Sequence, residues 1–155
     1  MRFHLFDRVE EVCYGKFITA IKNVTFADDV FEQHFPKYPV FPGSLIMEGF
    51  AQLGGMFLEL MRTRNGLPFQ SAFPSVINKM KFRKPVIPGD TIMMRVDVVS
   101  FRDDFGVIKV KAETDGEVCA DGEMTFIFMD SDDADIPKMR MELYDLWLSR
   151  AREVE

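Results

Sequence analysis

The chain has 155 residues, of which 47% are hydrophobic, and this length and composition fit one compact domain with a sizeable core. Its formal net charge of −6 excludes general nucleic-acid binding, because no positive field would attract phosphates over the whole surface. The two cysteines, Cys13 and Cys119, show no CxxC spacing, and residues 1–4 lack the apolar run of a signal peptide. These features predict a reduced, cytoplasmic protein.

The first part of the chain predicts a β-hairpin. Residues 8–14 and 16–24 are two extended segments that meet at Gly15. Residues 26–33 then predict a short helical turn. The loop that follows, residues 34–43, contains three prolines at intervals of three, which fix φ and predict a stiff backbone.

Residues from Ser44 to about Arg64 predict a long buried helix, with Ser44 as a candidate cap and an end at Asn65 and Gly66. Polar side chains within this apolar run exclude a membrane span: Glu48, Gln52 and Glu59. Each glycine in the helix costs roughly 1 kcal/mol relative to alanine. A sheet that packs very close to the helix would explain its small residues, which are Gly49, Ala51, Gly54 and Gly55.

The second half of the chain predicts antiparallel strands. Apolar and polar residues alternate over residues 91–98 and again over 108–113, and Asp115-Gly116 is a strong two-residue hairpin signal. Residues 72–82 and 118–128 complete the set. Since no helical pattern separates the late strands, a parallel, doubly wound sheet is excluded. The pattern favours an α+β fold in which an antiparallel sheet wraps around the long central helix.

The C-terminal segment differs in character from the rest. Residues 130–135 form an acidic linker, and Pro137 suits the first turn of a further helix. We therefore predict a main domain at residues 1–129, with the linker and C-terminal helix at 130–155 packed on it. The residues near helical spacing that predict the docking face are Ile136, Met139, Leu143, Leu146 and Trp147.

The run from His34 to Glu48 reads HFPKYPVFPGSLIME, and Gln52 follows four positions later. This run resembles the signature of the bacterial β-hydroxyacyl-(acyl carrier protein) dehydratases of the FabZ type. Residues 6–9, 20–24 and 81–90 are also similar to that family, so the resemblance covers roughly residues 5–129. It implies a hot-dog fold, to which the C-terminal helix is an addition.

The resemblance implies a lyase that removes water from a (3R)-hydroxyacyl thioester to give the trans-2-enoyl product. His34 would be the general base for the C2 proton, and Glu48 the acid that protonates the leaving hydroxyl. The backbone N–H of Gly43, at the start of the helix, would stabilise charge on the thioester oxygen. Gln52 would orient the carboxyl of Glu48.

The same resemblance implies how the protein assembles and what it meets. It predicts a homodimer with shared active sites, in which His34 of one protomer faces Glu48 of the other, and a trimer of dimers as a further assembly. The substrate would be carried on the phosphopantetheine of acyl carrier protein, in fatty-acid or related lipid or polyketide synthesis. No cofactor is expected, and two distant histidines without HExxH spacing provide no metal ligand set.

Two features depart from the family or leave alternatives open. Val76 stands where the family usually has glycine beside the acyl chain, so it is a candidate substrate-binding residue. A basic cluster on an acidic protein is either a dock for the carrier protein, with Arg62 and Arg64 as additions, or a solvated strand face. Its members are Lys79, Lys81, Arg83 and Lys84.

Other functions compete with the dehydratase. A non-catalytic hot-dog protein that binds or senses acyl thioesters would need no acid–base pair, so the presence of both His34 and Glu48 argues against it. A thioesterase on the same fold is a third reading. For the residues themselves, a lone histidine is usually structural, and Glu48 could simply form a structural hydrogen bond with Gln52.

Overall fold

The computed structural model describes residues 3–155. The helices are α1 (Gly43–Arg64), α2 (Ile136–Leu148) and a short 3-10 helix at Asp29–Glu32. The strands are β1 (Arg8–Cys13), β2 (Phe17–Asn23), β3 (Ser71–Phe82), β4 (Thr91–Phe101), β5 (Phe105–Thr114), β6 (Glu117–Met129) and β7 (Arg152–Glu153). Each predicted element is present, and most boundaries agree within two residues.

The strands form one sheet in the order β3-β6-β5-β4-β2-β1-β7. Neighbouring strands are antiparallel, except that β7 pairs in parallel with β1. The β5–β6 hairpin turns at Asp115 and Gly116, whose φ angles of 50° and 78° suit a type I′ turn. The predicted hairpin at Gly15, with φ of 85°, is also present. Among the described residues, β3 forms one edge of this sheet and β7 the other.

Helix α1 lies against the sheet and buries most of its length there. Phe50, Leu53 and Phe57 are fully buried in this contact. The glycines of α1 permit the close approach, as predicted: a Cβ on Gly49 would lie 2.7 Å from Cε of Met94, and one on Gly54 would collide with Ile108. In residues 3–155, neither helix combines the length and apolarity that a membrane span requires.

The start of α1 differs from the prediction that Ser44 caps it. Pro42 is the N-cap residue, and its carbonyl accepts hydrogen bonds from the amides of Leu45 (3.0 Å) and Ile46 (3.3 Å). Ser44 lies inside the first turn and is exposed. The stiff proline loop therefore continues directly into the helix, without a side-chain cap.

Helix α2 packs on the molecule through a face that agrees only in part with the one predicted. Tyr144 and Trp147 are buried, and the Trp147 ring lies 4.3 Å from that of Phe6, whereas Met139 and Leu146 are 64% and 68% exposed. The prediction took apolar residues near helical spacing, and of these Leu143 and Trp147 pack against the core. The face that docks also carries Arg140, whose partner is a buried carboxylate on α1.

Candidate active site

His34 lies directly after the 3-10 helix, in a loop that its own contacts hold in place. Its backbone amide donates to the carbonyl of Val30 (3.0 Å), and its carbonyl accepts from the amide of Val40 (3.0 Å). The ring nitrogen Nδ1 lies 2.7 Å from the Val40 carbonyl oxygen. Because a carbonyl can only accept, Nδ1 must carry a proton, so Nε2 of the neutral ring has a free lone pair. His34 is thus oriented as a base would be.

The cleft beside His34 contains the start of α1. Its volume is about 520 Å³, and Gly43, Phe82, Arg83 and Lys84 contribute to its wall. A Cβ on Gly43 would lie 2.8 Å from the Phe82 ring, so a side chain at this position would require that ring to move. The amides of Gly43 and Ser44 precede the first hydrogen bonds of the helix, which begin with Leu45, and the positive end of the helix dipole adds to them. This part of the cleft suits an oxygen that gains negative charge.

Glu48 lies one turn into α1, is half-buried and is held by Gln52. The Gln52 Nε2 group donates to Glu48 Oε1 (3.3 Å) and to the carbonyl of Phe3 (3.0 Å), while its Oε1 accepts from the amide of Leu5 (2.9 Å). Since Nε2 can only donate, the Glu48 Oε1 must accept. A proton on this carboxyl would therefore sit on Oε2.

Within one chain the two candidate catalytic side chains do not meet. Glu48 and Gln52 line a cavity of about 290 Å³ between α1 and α2, and His34 does not contribute to it. His34 and Gly43 line the separate cleft at the start of α1. Each chain thus contains two half-sites, one with the imidazole and the helix amide, the other with the carboxyl.

Val76 lies on the edge strand β3, at an irregularity in its pairing with β6. It is 51% exposed, and its neighbours Phe73 and Ile77 are 44% and 45% exposed. Apolar side chains are unusual on an unpaired edge, which offers free backbone groups to another strand. In the single chain, Val76 lines none of the cavities that contain His34 or Glu48.

The four basic residues separate into two pairs. Arg83 and Lys84 line the His34 cleft, where Arg83 is paired with Asp121 and Lys84 with Glu117 (3.3 Å). Asp121 raises the pKa of the Arg83 guanidinium. Lys79 and Lys81 instead border a separate groove, to which β4, β5 and β6 also contribute.

The two arginines considered as additions to that cluster have structural partners. Arg62 is buried, and its guanidinium donates to the carbonyl oxygens of Asp103 (2.6 Å) and Pro68 (3.3 Å and 3.4 Å). Arg64 lies over the ring of Tyr14. Both stand at the C-terminal end of α1, whereas Gly43 begins it.

Sequence reasoning missed a polar cluster centred on Glu59. This carboxylate is 1% exposed and accepts hydrogen bonds from the amide of Ala72 (2.9 Å), from Arg140 and from the Tyr144 hydroxyl. Burial raises the pKa of Glu59, and this effect outweighs its hydrogen bonds and the charge of Arg140. Burial, together with the Glu59 carboxylate, also raises the pKa of Tyr144. A glutamate within an apolar helix indicates a buried polar partner, but no local pattern in the sequence identified Arg140 and Tyr144 as the partners of Glu59.

No group of three or more histidine, cysteine or acidic side chains in residues 3–155 is placed to bind a metal ion. The two half-sites provide an imidazole, a carboxyl and backbone amides. Such groups serve general acid–base catalysis.

The family model described as "FabA-like domain" matches residues 1–124. A 3-hydroxyacyl-[acyl-carrier-protein] dehydratase FabZ from Streptococcus thermophilus is 46% identical over 122 residues, which is 79% of this chain and 84% of that protein. The protein of the same name from Campylobacter hominis is 39% identical over 128 residues, 83% of this chain and 88% of its own length. The matched region of the family model contains both half-sites and ends before α2.

Solved structures share the fold at low sequence identity. The dehydratase heterocomplex ApeI:P from Xenorhabdus doucetiae has a TM-score of 0.68 at 13% identity and covers 88% of this chain and 89% of its own. A hypothetical thioesterase with coenzyme A from Streptococcus pneumoniae has a TM-score of 0.63 at 10% identity, covering 81% and 88%. The predicted hot-dog fold, with its central helix and antiparallel sheet, is confirmed.

Proposed function

Because the chain belongs to the FabA-like family, we propose that it converts (3R)-hydroxyacyl-(acyl carrier protein) to the trans-2-enoyl thioester in fatty-acid biosynthesis. The observation that carries this proposal is the pair of half-sites. One half-site has an imidazole with its Nε2 free, and the other has a half-buried carboxyl that Gln52 orients. Elimination of water needs one base and one acid, and these two groups supply them.

The reaction balances with these groups alone. Nε2 of His34 takes the proton from C2, and the electrons of the C2–H bond form the C2–C3 double bond. The C3–O bond breaks as the Glu48 carboxyl gives its proton to the departing hydroxyl, which leaves as water. The amide of Gly43 donates to the thioester oxygen while negative charge builds there. Proton return from the imidazolium to the carboxylate restores both groups, so no cofactor or metal ion takes part.

The active site is completed by a second copy of the chain. His34 of one protomer meets Glu48 of the other across a dimer that forms along β3. Support comes from the separation of the two half-sites within one chain and from the exposed apolar side chains of β3. A two-fold axis makes such an interface self-complementary and yields two equivalent sites. Three dimers would form the predicted hexamer.

Acyl carrier protein is the partner that delivers the substrate. Arg83 and Lys84 stand at the His34 cleft, so they are the stronger candidates for binding the acidic carrier, while Lys79 and Lys81 extend the basic area. Val76 contacts the acyl thioester only in the assembled dimer. The catalytic domain is residues 1–129, with residues 130–155 packed on it, and the protein acts in the cytoplasm.

The direct test is turnover of purified (3R)-hydroxyacyl-(acyl carrier protein), with the enoyl product followed by mass spectrometry. His34→Ala and Glu48→Gln should each reduce kcat by at least ~10²-fold, the usual contribution of a general acid or base. Glu142→Gln, at an exposed position on α2, is the matched control and should behave as wild type. Binding without product would support an acyl-thioester sensor instead, and release of free carrier thiol would indicate a thioesterase.

Mixing the two inactive variants tests the shared site. In a mixed dimer, one site combines the intact His34 of one chain with the intact Glu48 of the other, and the second site lacks both. If equal amounts of the two variants exchange subunits at random, half of the dimers are mixed. Each mixed dimer has one intact site of its two, so about a quarter of wild-type activity should return. Activity that stays at the level of the separate variants would contradict a site built from two chains.

A further inference from the structure

Helix α2 forms one wall of the cavity that contains Glu48. From α1 the cavity receives Glu48, Gly55 and Met56, and from the facing helix it receives Leu143 and Trp147. The cavity is about 290 Å³ in volume, which is at the small end of ligand pockets. The candidate acid of the reaction and the C-terminal helix thus border the same space.

The far part of this cavity is polar. Glu59 lies on α1 roughly 16 Å beyond Glu48, at the rise of an α-helix. It is joined there to Arg140 and Tyr144 of α2, and all three residues line the cavity. Each oxygen of the Glu59 carboxylate already has a partner: Oε1 accepts from Arg140 and from the Ala72 amide, and Oε2 accepts from Tyr144. The cluster is therefore a closed hydrogen-bonded group, and it has little capacity to bind a further polar ligand.

Helix α2 lies outside the region that the family model matches, which ends at residue 124. The polar cluster depends on α2, because Arg140 and Tyr144 are two of its three side chains. This end of the cavity is thus built by an element additional to the matched domain. Gly55, by contrast, lies within the matched region and leaves the cavity open: a Cβ there would have no neighbour nearer than 3.6 Å.

We propose that α2 closes the acyl pocket of this enzyme, and that the Glu59–Arg140–Tyr144 cluster sets the longest saturated acyl chain that the pocket accepts. The inference rests on the proposed function, because it takes the occupant to be the acyl chain of the thioester that Glu48 protonates. The nearer walls are apolar and gain from each methylene that they bury, about fourfold in affinity. A chain long enough to reach the cluster would instead separate hydrogen-bonded groups and leave them unsatisfied.

Leu143 is the residue at which to test this wall, because it lines the cavity without belonging to the polar cluster. Leu143→Phe should shorten the pocket, and the ratio of kcat/KM for a long acyl chain to that for a short one should fall about tenfold, which at about fourfold per methylene corresponds to the exclusion of one to two methylenes. Leu143→Ala should shift the ratio in the opposite direction. Leu146 is 68% exposed on the other face of α2, so Leu146→Phe and Leu146→Ala are matched controls that should leave the ratio unchanged.

Trp147 provides a readout that does not depend on turnover. It is the single tryptophan of the chain and lines the same cavity. Adding a 3-hydroxyacyl pantetheine amide, which carries no thioester, should change its fluorescence. The chain length at which the response saturates should move in the Leu143 variants and not in the Leu146 variants. A thermal melt of each variant shows that the fold is retained.

The outcomes separate this inference from the proposed function. A fluorescence response that depends on Leu143, together with no enoyl product from any wild-type substrate, would retain the acyl pocket and reject the dehydratase. Normal dehydration with a chain-length ratio that the Leu143 variants do not change would reject the role of α2 and retain the dehydratase. Equal changes of the chain-length ratio in the Leu143 and Leu146 variants would also overturn the proposed role of α2, because the helix would then act only through packing.

Discussion

Gln52 is the residue whose replacement best separates catalysis from stability, because it joins Glu48 to the N-terminal segment. Gln52→Met keeps the length of the side chain and removes three hydrogen bonds: those with the Leu5 amide (2.9 Å), the Phe3 carbonyl (3.0 Å) and Glu48 Oε1 (3.3 Å). The first two are ordinary neutral bonds. At about 1 kcal/mol each, their loss should lower the free energy of unfolding by about 2 kcal/mol.

The third bond bears on the reaction. Without the Gln52 donor, the Glu48 carboxyl is free to rotate, and its proton is no longer restricted to Oε2. A hydrogen bond to a carboxyl group is worth about 1.5 kcal/mol, so kcat should fall about tenfold. KM should change little, because Gln52 acts on the orientation of the acid and not on substrate binding.

The assay is steady-state dehydration of a hydroxyacyl carrier protein, paired with urea unfolding of the same preparations. Gln70→Met is the matched control, since Gln70 donates one exposed hydrogen bond to Asp130 (3.1 Å), far from Glu48 in the sequence. If Gln52→Met loses stability as expected but keeps the wild-type kcat, then Gln52 only tethers the N-terminal segment. The argument for an oriented acid would then be wrong.

Three further predictions concern packing, pH and assembly. Gly49→Val should lower the free energy of unfolding by about 1–3 kcal/mol, because its Cβ would meet Met94 and a backbone oxygen. Chemical denaturation measures this change, and a stability equal to wild type would contradict the close helix–sheet contact. Burial raises the pKa of Glu59, so the folded protein keeps a proton that the unfolded chain releases. The stability of wild type relative to Glu59→Gln should therefore fall as pH rises from about 4.3, the usual glutamate value, through the raised pKa, and stay level above it. Urea unfolding at a series of pH values tests this, and a difference independent of pH would refute it. Ile77→Lys should convert the proposed dimer to a monomer in sedimentation analysis, because it places a charge on the β3 edge. Val99→Lys, at a similarly exposed site on β4, should not, and equal effects would argue against pairing through β3.

The elements that the sequence predicted correctly are those with local causes. The Asp115–Gly116 turn requires positive φ at both positions, and the alternation around it extends the same hairpin. The glycines of α1 indicated a close neighbour, and the sheet proved to be that neighbour. Residues 34–48 could be assigned as a candidate site because stiff backbone, helix start and titratable groups lie together in one short run.

What the sequence did not predict depends on contacts between distant segments. The Tyr144 hydroxyl reaches Glu59 across 85 positions, so no local pattern links them. Tyr144 is buried and Leu146 is exposed on α2, whereas helical spacing had placed Leu146 on the docking face. Ser44 is a residue type that often caps helices. Pro42, with its φ fixed by the ring, is the N-cap residue instead, and no side chain forms a cap hydrogen bond.

The short strand β7 affects how copies of this protein can associate. It pairs with β1 at Glu11 and Val12, and Arg152 forms an ion pair with Glu11 at 2.9 Å. A strand arriving from another molecule therefore finds that side of the sheet partly occupied, whereas β3 still offers free backbone groups. If the sheet can be extended only at β3, pairing of strands between molecules ends as soon as two copies have joined. The last residues of the chain would then favour a finite particle over an open-ended fibre.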